Sequence, residues 1–199
     1  MEYIKATLKD QEQIHNLVQK TIKTVYPKYY PKEVVDFFCE LHSRENIAAD
    51  IEKGYVGILK NENQIWGTGS YKDNHITRVY VAPEHQKQGY GSYIMQCLEN
   101  EISQNYKEVY LDASLPACQM YEKRGYRTIK YDQWGVENDV ILVYGIMEKA
   151  LPASNTSICY EGKCHSIPQV MEDGTIELRE EWQWLNGDKS KGASILIEQ

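Results

Sequence analysis

The stretch HITRVYVAPEHQKQGYGS, His75 to Ser92, constrains the fold more than any other part of the chain. His75 to Val81 reads as a strand: Ile76, Val79, Tyr80 and Val81 are β-formers and Thr77 is β-branched. Ala82-Pro83 ends it, because proline has no N–H to give to a ladder. After Gln86-Lys87-Gln88-Gly89-Tyr90-Gly91 comes an amphipathic helix, with Ile94, Met95, Leu98 and Ile102 on one stripe. Gly89 and Gly91 supply positive φ or close backbone approach. The amides left free at the helix start, together with the helix dipole, favour an anion. Strand, glycine turn and helix in this order form a phosphate cradle. Spacing excludes two rival nucleotide sites, since there is neither a Gly-x-x-x-x-Gly-Lys-Ser/Thr nor the third glycine of a dinucleotide fingerprint.

Two further elements follow. Glu108 to Ala113 is a second strand, and Leu115 to Arg124 a short helix with Pro116 near its first turn and Gly125 at its end. On the Gln86-x-x-Gly89-x-Gly91 loop and the Tyr121-Glu122-Lys123-Arg124-Gly125-Tyr126 helix end, the sequence resembles the GNAT family of acyl-CoA-dependent N-acyltransferases over roughly residues 1–150. The resemblance implies an α/β fold, a mixed sheet with helices on both faces. It also implies acetyl-CoA as cosubstrate and a primary amine of a small molecule or peptide as acceptor, attacked directly. By the same resemblance the backbone of Val79, Tyr80 and Val81 pairs with the pantetheine arm like an added strand. The amides of Gln86, Lys87, Gln88, Gly89, Tyr90, Gly91 and Ser92 hold the pyrophosphate, with Lys87 adding charge. Ser114 stands three residues before Ala117, where the family often has asparagine, so this pantetheine contact rests on a hydroxyl.

Acyl transfer from a thioester to an amine raises two proton problems. A Lys-like amine, pKa about 10.4, must shed a proton before it attacks, at a cost of roughly 4–5 kcal/mol in population at neutral pH. The departing thiolate leaves more readily when hydrogen-bonded or protonated. Tyr121, four residues after Ala117 on the same helix face, matches the family tyrosine whose phenol points at the thioester sulfur, and is the expected general acid. His75 opens the strand and is expected to share a face with Thr77, Val79 and Val81. Its position matches the glutamate base of the histone-acetylating branch, and imidazole titrates near neutral pH. The alternative for His75 is a solvated residue at the strand edge. The alternative for Tyr121 is a core tyrosine.

Bulk properties narrow the class. The chain has 199 residues and a net charge of −7, with no basic cluster beyond two neighbours, which argues against a nucleic-acid surface. The same acidity argues against acetylation of aminoacyl-tRNA, a second rival. A non-catalytic acyl-CoA sensor is the first. Five cysteines in no regular framework and the lack of a signal-like N-terminus or membrane-length apolar run point to a cytoplasmic protein.

Upstream, Tyr3 to Leu8 reads as a strand, and Asp10 as the cap of a helix with Ile14, Leu17, Val18 and Ile22 inward. Pro31 opens a second helix to Leu41, with Val34, Val35, Phe38 and Leu41 inward, and Ser43 caps a third. The family's acceptor side lies here, so Tyr26, Tyr29 and Tyr30 either line the acceptor pocket or pack on the helices. Tyr55 to Lys60 and Gln64 to Tyr71 form a hairpin, as do Arg127 to Gln133 and Val140 to Glu148. Residues 151–199 read as a separate antiparallel β meander, with turns at Glu161-Gly162, Asp173-Gly174 and Asn186-Gly187. This extension weakly resembles the closing strands of a small bacterial lipocalin-like barrel, too few to close one. Its open apolar face is expected to pack on the first domain or on a second copy, giving a homodimer. Cys159, Cys164 and His165 hint at a metal, but no second ligand pair exists, so two reduced thiols and no metal are expected.

Overall fold

The computed structural model describes residues 1–152 and four short strand segments beyond them, 162–164, 169–170, 176–177 and 182–184. Seven strands, β1 (Glu2–Lys5), β2 (Val56–Asn61), β3 (Gln64–Lys72), β4 (His75–Val81), β5 (Glu108–Ser114), β6 (Arg127–Gly135) and β7 (Ile141–Ala150), form one sheet in the order β1-β2-β3-β4-β5-β7-β6. Every pairing is antiparallel except β4 with β5. Helices α1 (Gln11–Val25), α2 (Lys32–Leu41) and α3 (Arg44–Glu52) cover one face. Helix α4 (Tyr90–Ser103) covers the other, with α5 (Leu115–Lys123) beside β5 and β7. This is the mixed sheet with helices on both faces that the sequence implies.

Strand alternation divides the apolar side chains between two cores. Ile76, Val81, Val109, Leu111 and Met147 meet Ile94, Met95, Leu98 and Ile102 of α4. Val56, Ile58 and Tyr80 meet Ile14, Val18 and Ile22 of α1 and Ile47 of α3. Each such buried aliphatic contributes roughly 1.5–3 kcal/mol, so the stripe on α4 is what seats that helix on the sheet.

Three local expectations are corrected. The first strand stops at Lys5, not Leu8, because the Thr7 amide and hydroxyl both donate to the Asp10 carboxylate, at 2.9 and 2.8 Å, and turn the chain. For the same reason Asp10 makes no capping bond to α1. Leu41 is 45% exposed, since α2 ends there and His42 turns inward in its place. Ser43 does cap α3, accepting from the Asn46 amide at 3.3 Å.

The feature that positions everything else is the join between β4 and β5. Their parallel ladder holds only two pairs, His75 with Tyr110 and Ile76 with Leu111. Beyond Ile76 the strands part into a V, and the rest of β4 pairs with β3 alone. A register shift at Ser70/Tyr71 leaves Thr77 without an opposite residue on β3. This bulge reverses the facing of everything after it.

Beyond residue 152, Gly162–Cys164 pairs antiparallel with Trp182–Trp184, and Gln169–Val170 with Ile176–Glu177. The described pairing is therefore nested, not a simple meander, and Gly162 sits in a strand opposite Trp184 instead of in a turn. Cys159, and the face on which this extension would pack, lie outside the described residues.

Candidate active site

The mouth of the V is headed by the glycine loop. Gly89 takes the left-handed conformation, φ 84°, as the N-cap of α4, a geometry that a Cβ would strain. The first amides of this 14-residue helix have no carbonyl one turn back, so they face the mouth as donors. Gly91 is a glycine for a different reason. A Cβ there would meet only the Val81 side chain, at 3.8 Å, so the protein's own packing leaves that space open. The loop is braced from behind. The Gln86 side chain donates to the Val81 carbonyl at 3.0 Å, His85 stacks on Trp66 at 3.8 Å, and Tyr90 is buried. These groups suit a diphosphate at the helix start, with an extended arm along the free edge of β4.

Tyrosines meet across the V. Tyr26 and Tyr80 hydroxyls lie 3.1 Å apart, and Tyr121 on α5 is close enough that each phenol would feel a charge on the next. Burial, then the Tyr26 phenol, pushes Tyr121 above the ordinary phenol range, while Arg124 pulls it back. Tyr121 is thus a neutral donor at any working pH. Its ring sits edge-on to Tyr126 at 5.7 Å. Of the tyrosines expected at the acceptor side, Tyr30 turns inward, its hydroxyl enclosed beside the Ser114 hydroxyl and the Leu115 amide. No contact there reaches full hydrogen-bond geometry. Tyr29 is 58% exposed and points away from this cluster, which Tyr26 joins instead. Ser114 is the N-cap of α5 without using its side chain as a cap, so its hydroxyl is left to Tyr30 or a ligand. Ala117 lies one turn before Tyr121.

His75 does not share a face with Val79 and Val81. The bulge at Thr77 puts those two valines against α4, together with Ile76, and His75 on the opposite face. There its ring lies flat on Tyr110, centroids 4.3 Å apart, with Asp112 Oδ2 3.2 Å from Nε2. The same face carries a buried array that sequence reading missed: Arg78 donates to Asp50 at 2.8 Å and to His42 Nδ1 at 3.3 Å. In the sequence these three are ordinary polar residues on separate elements, and nothing in their spacing marks them.

Burial first, and the Arg78 charge second, lower the His42 pKa from 6.5 to about 3. The unfolded chain therefore takes up a proton below about 6.5 that the folded chain refuses until about 3. Stability from this group is complete above pH 6.5 and falls steadily as pH drops through that window, by about 2 kcal/mol at pH 5. We expect His42→Asn, which keeps an acceptor for Arg78, to flatten the stability difference between pH 7 and 5 in urea unfolding. Identical slopes for both proteins would rule the effect out.

Among the described residues no helix is long and apolar enough to cross a membrane, and no three His, Cys, Asp or Glu are grouped to hold a metal.

Comparison with known proteins agrees with this geometry. No curated protein matches the chain. Among solved structures, a GCN5-related N-acetyltransferase from Rhodopseudomonas palustris superposes with TM-score 0.69 at 20% identity, over 75% of this chain and 95% of that one. PaiA N-acetyltransferase from Thermoplasma acidophilum, in complex with coenzyme A, gives 0.59 at 18%, over 75% and 98%. YncA from Salmonella typhimurium, solved with its cofactor acetyl-CoA, gives 0.55 at 18%, over 76% and 94%. At these identities the likeness is one of fold. Residues 153–199 match a family described as avidin-like protein. Residues 25–148 match the acetyltransferase (GNAT) domain, well over half of the chain, and the chain belongs to the GNAT acetyltransferase family.

Proposed function

We propose that this protein moves an acetyl group from acetyl-CoA to a primary amine of a small molecule or peptide, with Tyr121 assisting the departing sulfur and His75 taking the amine proton. The observation that carries the reading is the V between β4 and β5. It is headed by the free amides of α4, flanked by the Tyr121 phenol and closed at its vertex by His75. From Val81 back to Ile76 the free edge runs about 17 Å at roughly 3.3 Å per residue, comparable to an extended pantetheine arm. Gln86 to Ser92 would hold the diphosphate, and the backbone of Val79 to Val81 the arm. Acetyl-CoA supplies a thioester carbonyl open to attack.

The residues of the chain then handle two protons. The amine arrives as an ammonium and gives one proton to His75, leaving a lone pair for attack on the carbonyl. The second proton leaves the nitrogen as the tetrahedral adduct collapses and the C–S bond breaks, and it neutralises the departing thiolate. Because Tyr121 is held above the usual phenol range, complete transfer of its proton to a thiolate is uphill. Its role is a hydrogen bond to the developing sulfur anion, which stabilises charge only as the bond breaks. The division of the chain near residue 150 into this domain and a β extension is part of the same proposal.

The test has two arms. Free-thiol release is followed over a panel of monoamines, diamines and peptide N-termini, and acetyl-CoA binding is measured by calorimetry. Release with at least one amine is expected, and Gly91→Val should weaken acetyl-CoA at least about tenfold without lowering the unfolding midpoint appreciably. Tight acetyl-CoA binding with no release for any amine would favour an acyl-CoA sensor. Unchanged affinity in Gly91→Val would remove the cradle.

A further inference from the structure

Asp112 enters this reading through the register of β4 and β5. Val109, Leu111 and Ala113 fill the α4 side of the sheet, so Tyr110, Asp112 and Ser114 point to the other. The parallel pairing sets His75 beside Tyr110, on the face that also carries Asp112. Stacking at 4.3 Å and 6° between the planes fixes the plane of the imidazole. It does not decide which nitrogen points which way. Asp112 does: its Oδ2 lies 3.2 Å from Nε2, an atom enclosed from solvent, while the histidine side chain as a whole is a quarter exposed. The N–H vector is not aimed at the oxygen, so the approach is an electrostatic contact at ion-pair distance and not a hydrogen bond. An enclosed nitrogen 3.2 Å from a carboxylate oxygen carries the N–H, since the positive end of an N–H dipole is favoured beside that charge and a lone pair is repelled by it.

We infer that Asp112 is a positioning residue, which holds His75 as the Nε2–H tautomer and so leaves Nδ1 as the nitrogen that accepts the proton of the amine. The inference rests on the proposed role of His75 as base. In the step itself the N–H bond of the substrate ammonium breaks, the proton binds Nδ1 and the electron pair stays on the amine. Both nitrogens of the resulting imidazolium then carry protons, and the Asp112 carboxylate stabilises the Nε2–H side. Other charges face Asp112: Lys130 and Tyr144 feel it, but Lys130 is engaged by Asp132 at 3.0 Å. Lys72, opposite His75 on β3, is exposed.

Nitrogen-15 NMR of the histidines, in the free protein and in Asp112→Asn, tests the tautomer without reference to turnover. The expected result is His75 protonated at Nε2 and bare at Nδ1 in the native protein, shifting to a mixture in Asp112→Asn, whose amide can donate or accept. In parallel, Asp112→Asn should lower turnover at least about tenfold at unchanged acetyl-CoA affinity, and adding it to His75→Ala should cost nothing further. An Nδ1–H tautomer in the native protein, or the same tautomer in Asp112→Asn, overturns the inference while thiol release still stands for the transferase reading. Absence of thiol release with every amine defeats that reading instead, and the NMR result remains separately legible.

Discussion

Replacing Tyr121 with phenylalanine is expected to lower turnover on the order of 10²-fold, the range of a lost general-acid contact, with little change in acetyl-CoA affinity. The substitution removes one oxygen and keeps the ring, so the edge-on contact with Tyr126 survives. The Tyr121 hydroxyl serves the reading only when charge appears on sulfur, which is why kcat should fall and binding should not. Tyr126→Phe is the natural control. Its hydroxyl donates to Glu99 at 3.0 Å in the core, away from the V, so its loss should lower stability and spare turnover. Steady-state kinetics on both proteins decides the matter: a Tyr121→Phe enzyme as fast as the native one would take Tyr121 out of the mechanism.

The second large effect is on stability. Glu99 on α4 is only 4% exposed, yet it accepts from Arg124 at 2.8 and 3.1 Å, from Tyr126 Oη at 3.0 Å and from Lys149 Nζ at 3.0 Å. A carboxylate taken out of water tolerates that position only because each lone pair is met by a donor, three of the four from the cations Arg124 and Lys149. Glu99→Ala leaves Arg124 and Lys149 partly enclosed without a counter-charge, and removal of one partner from such a network costs roughly 3–5 kcal/mol. Because both cations keep some access to water, the lower end of that range is expected. Urea unfolding measures it, and a loss below about 1 kcal/mol would show that the cluster is as weak as surface pairs are. The cluster also ties the helix that heads the V to the end of the helix that carries Tyr121. Lost rigidity there should raise the KM for acetyl-CoA in the same variant.

Much of this was legible from local pattern. Strand His75–Val81 has the bounds expected from its β-formers and the stop at Ala82-Pro83, and α4 begins where the glycines place it. Ser43 caps α3, and the apolar stripes of α1 and α4 point inward, because period and capping are properties of neighbouring residues. What failed was the facing of His75. One unpaired residue at Thr77 reverses alternation, and nothing in His75-Ile76-Thr77-Arg78 says that the partner strand will skip it. Asp112 was invisible for a related reason: its meaning depends on a parallel register between strands that the whole of α4 separates. Glu99, in turn, borders the apolar stripe of α4, and nothing near it in the sequence names the partners that bury it, Arg124 and Lys149.

By itself the sequence determined the local pieces: the strand, the left-handed glycine turn, the helix start with its free amides, and the short helix that carries Tyr121. These follow from steric and hydrogen-bonding rules that act over a few residues. Only the tertiary structure decided where β4 and β5 part, which way His75 faces and which carboxylates stay buried. Those outcomes depend on register and on the packing of two cores against opposite faces of one sheet, and each is settled by residues far apart in the chain.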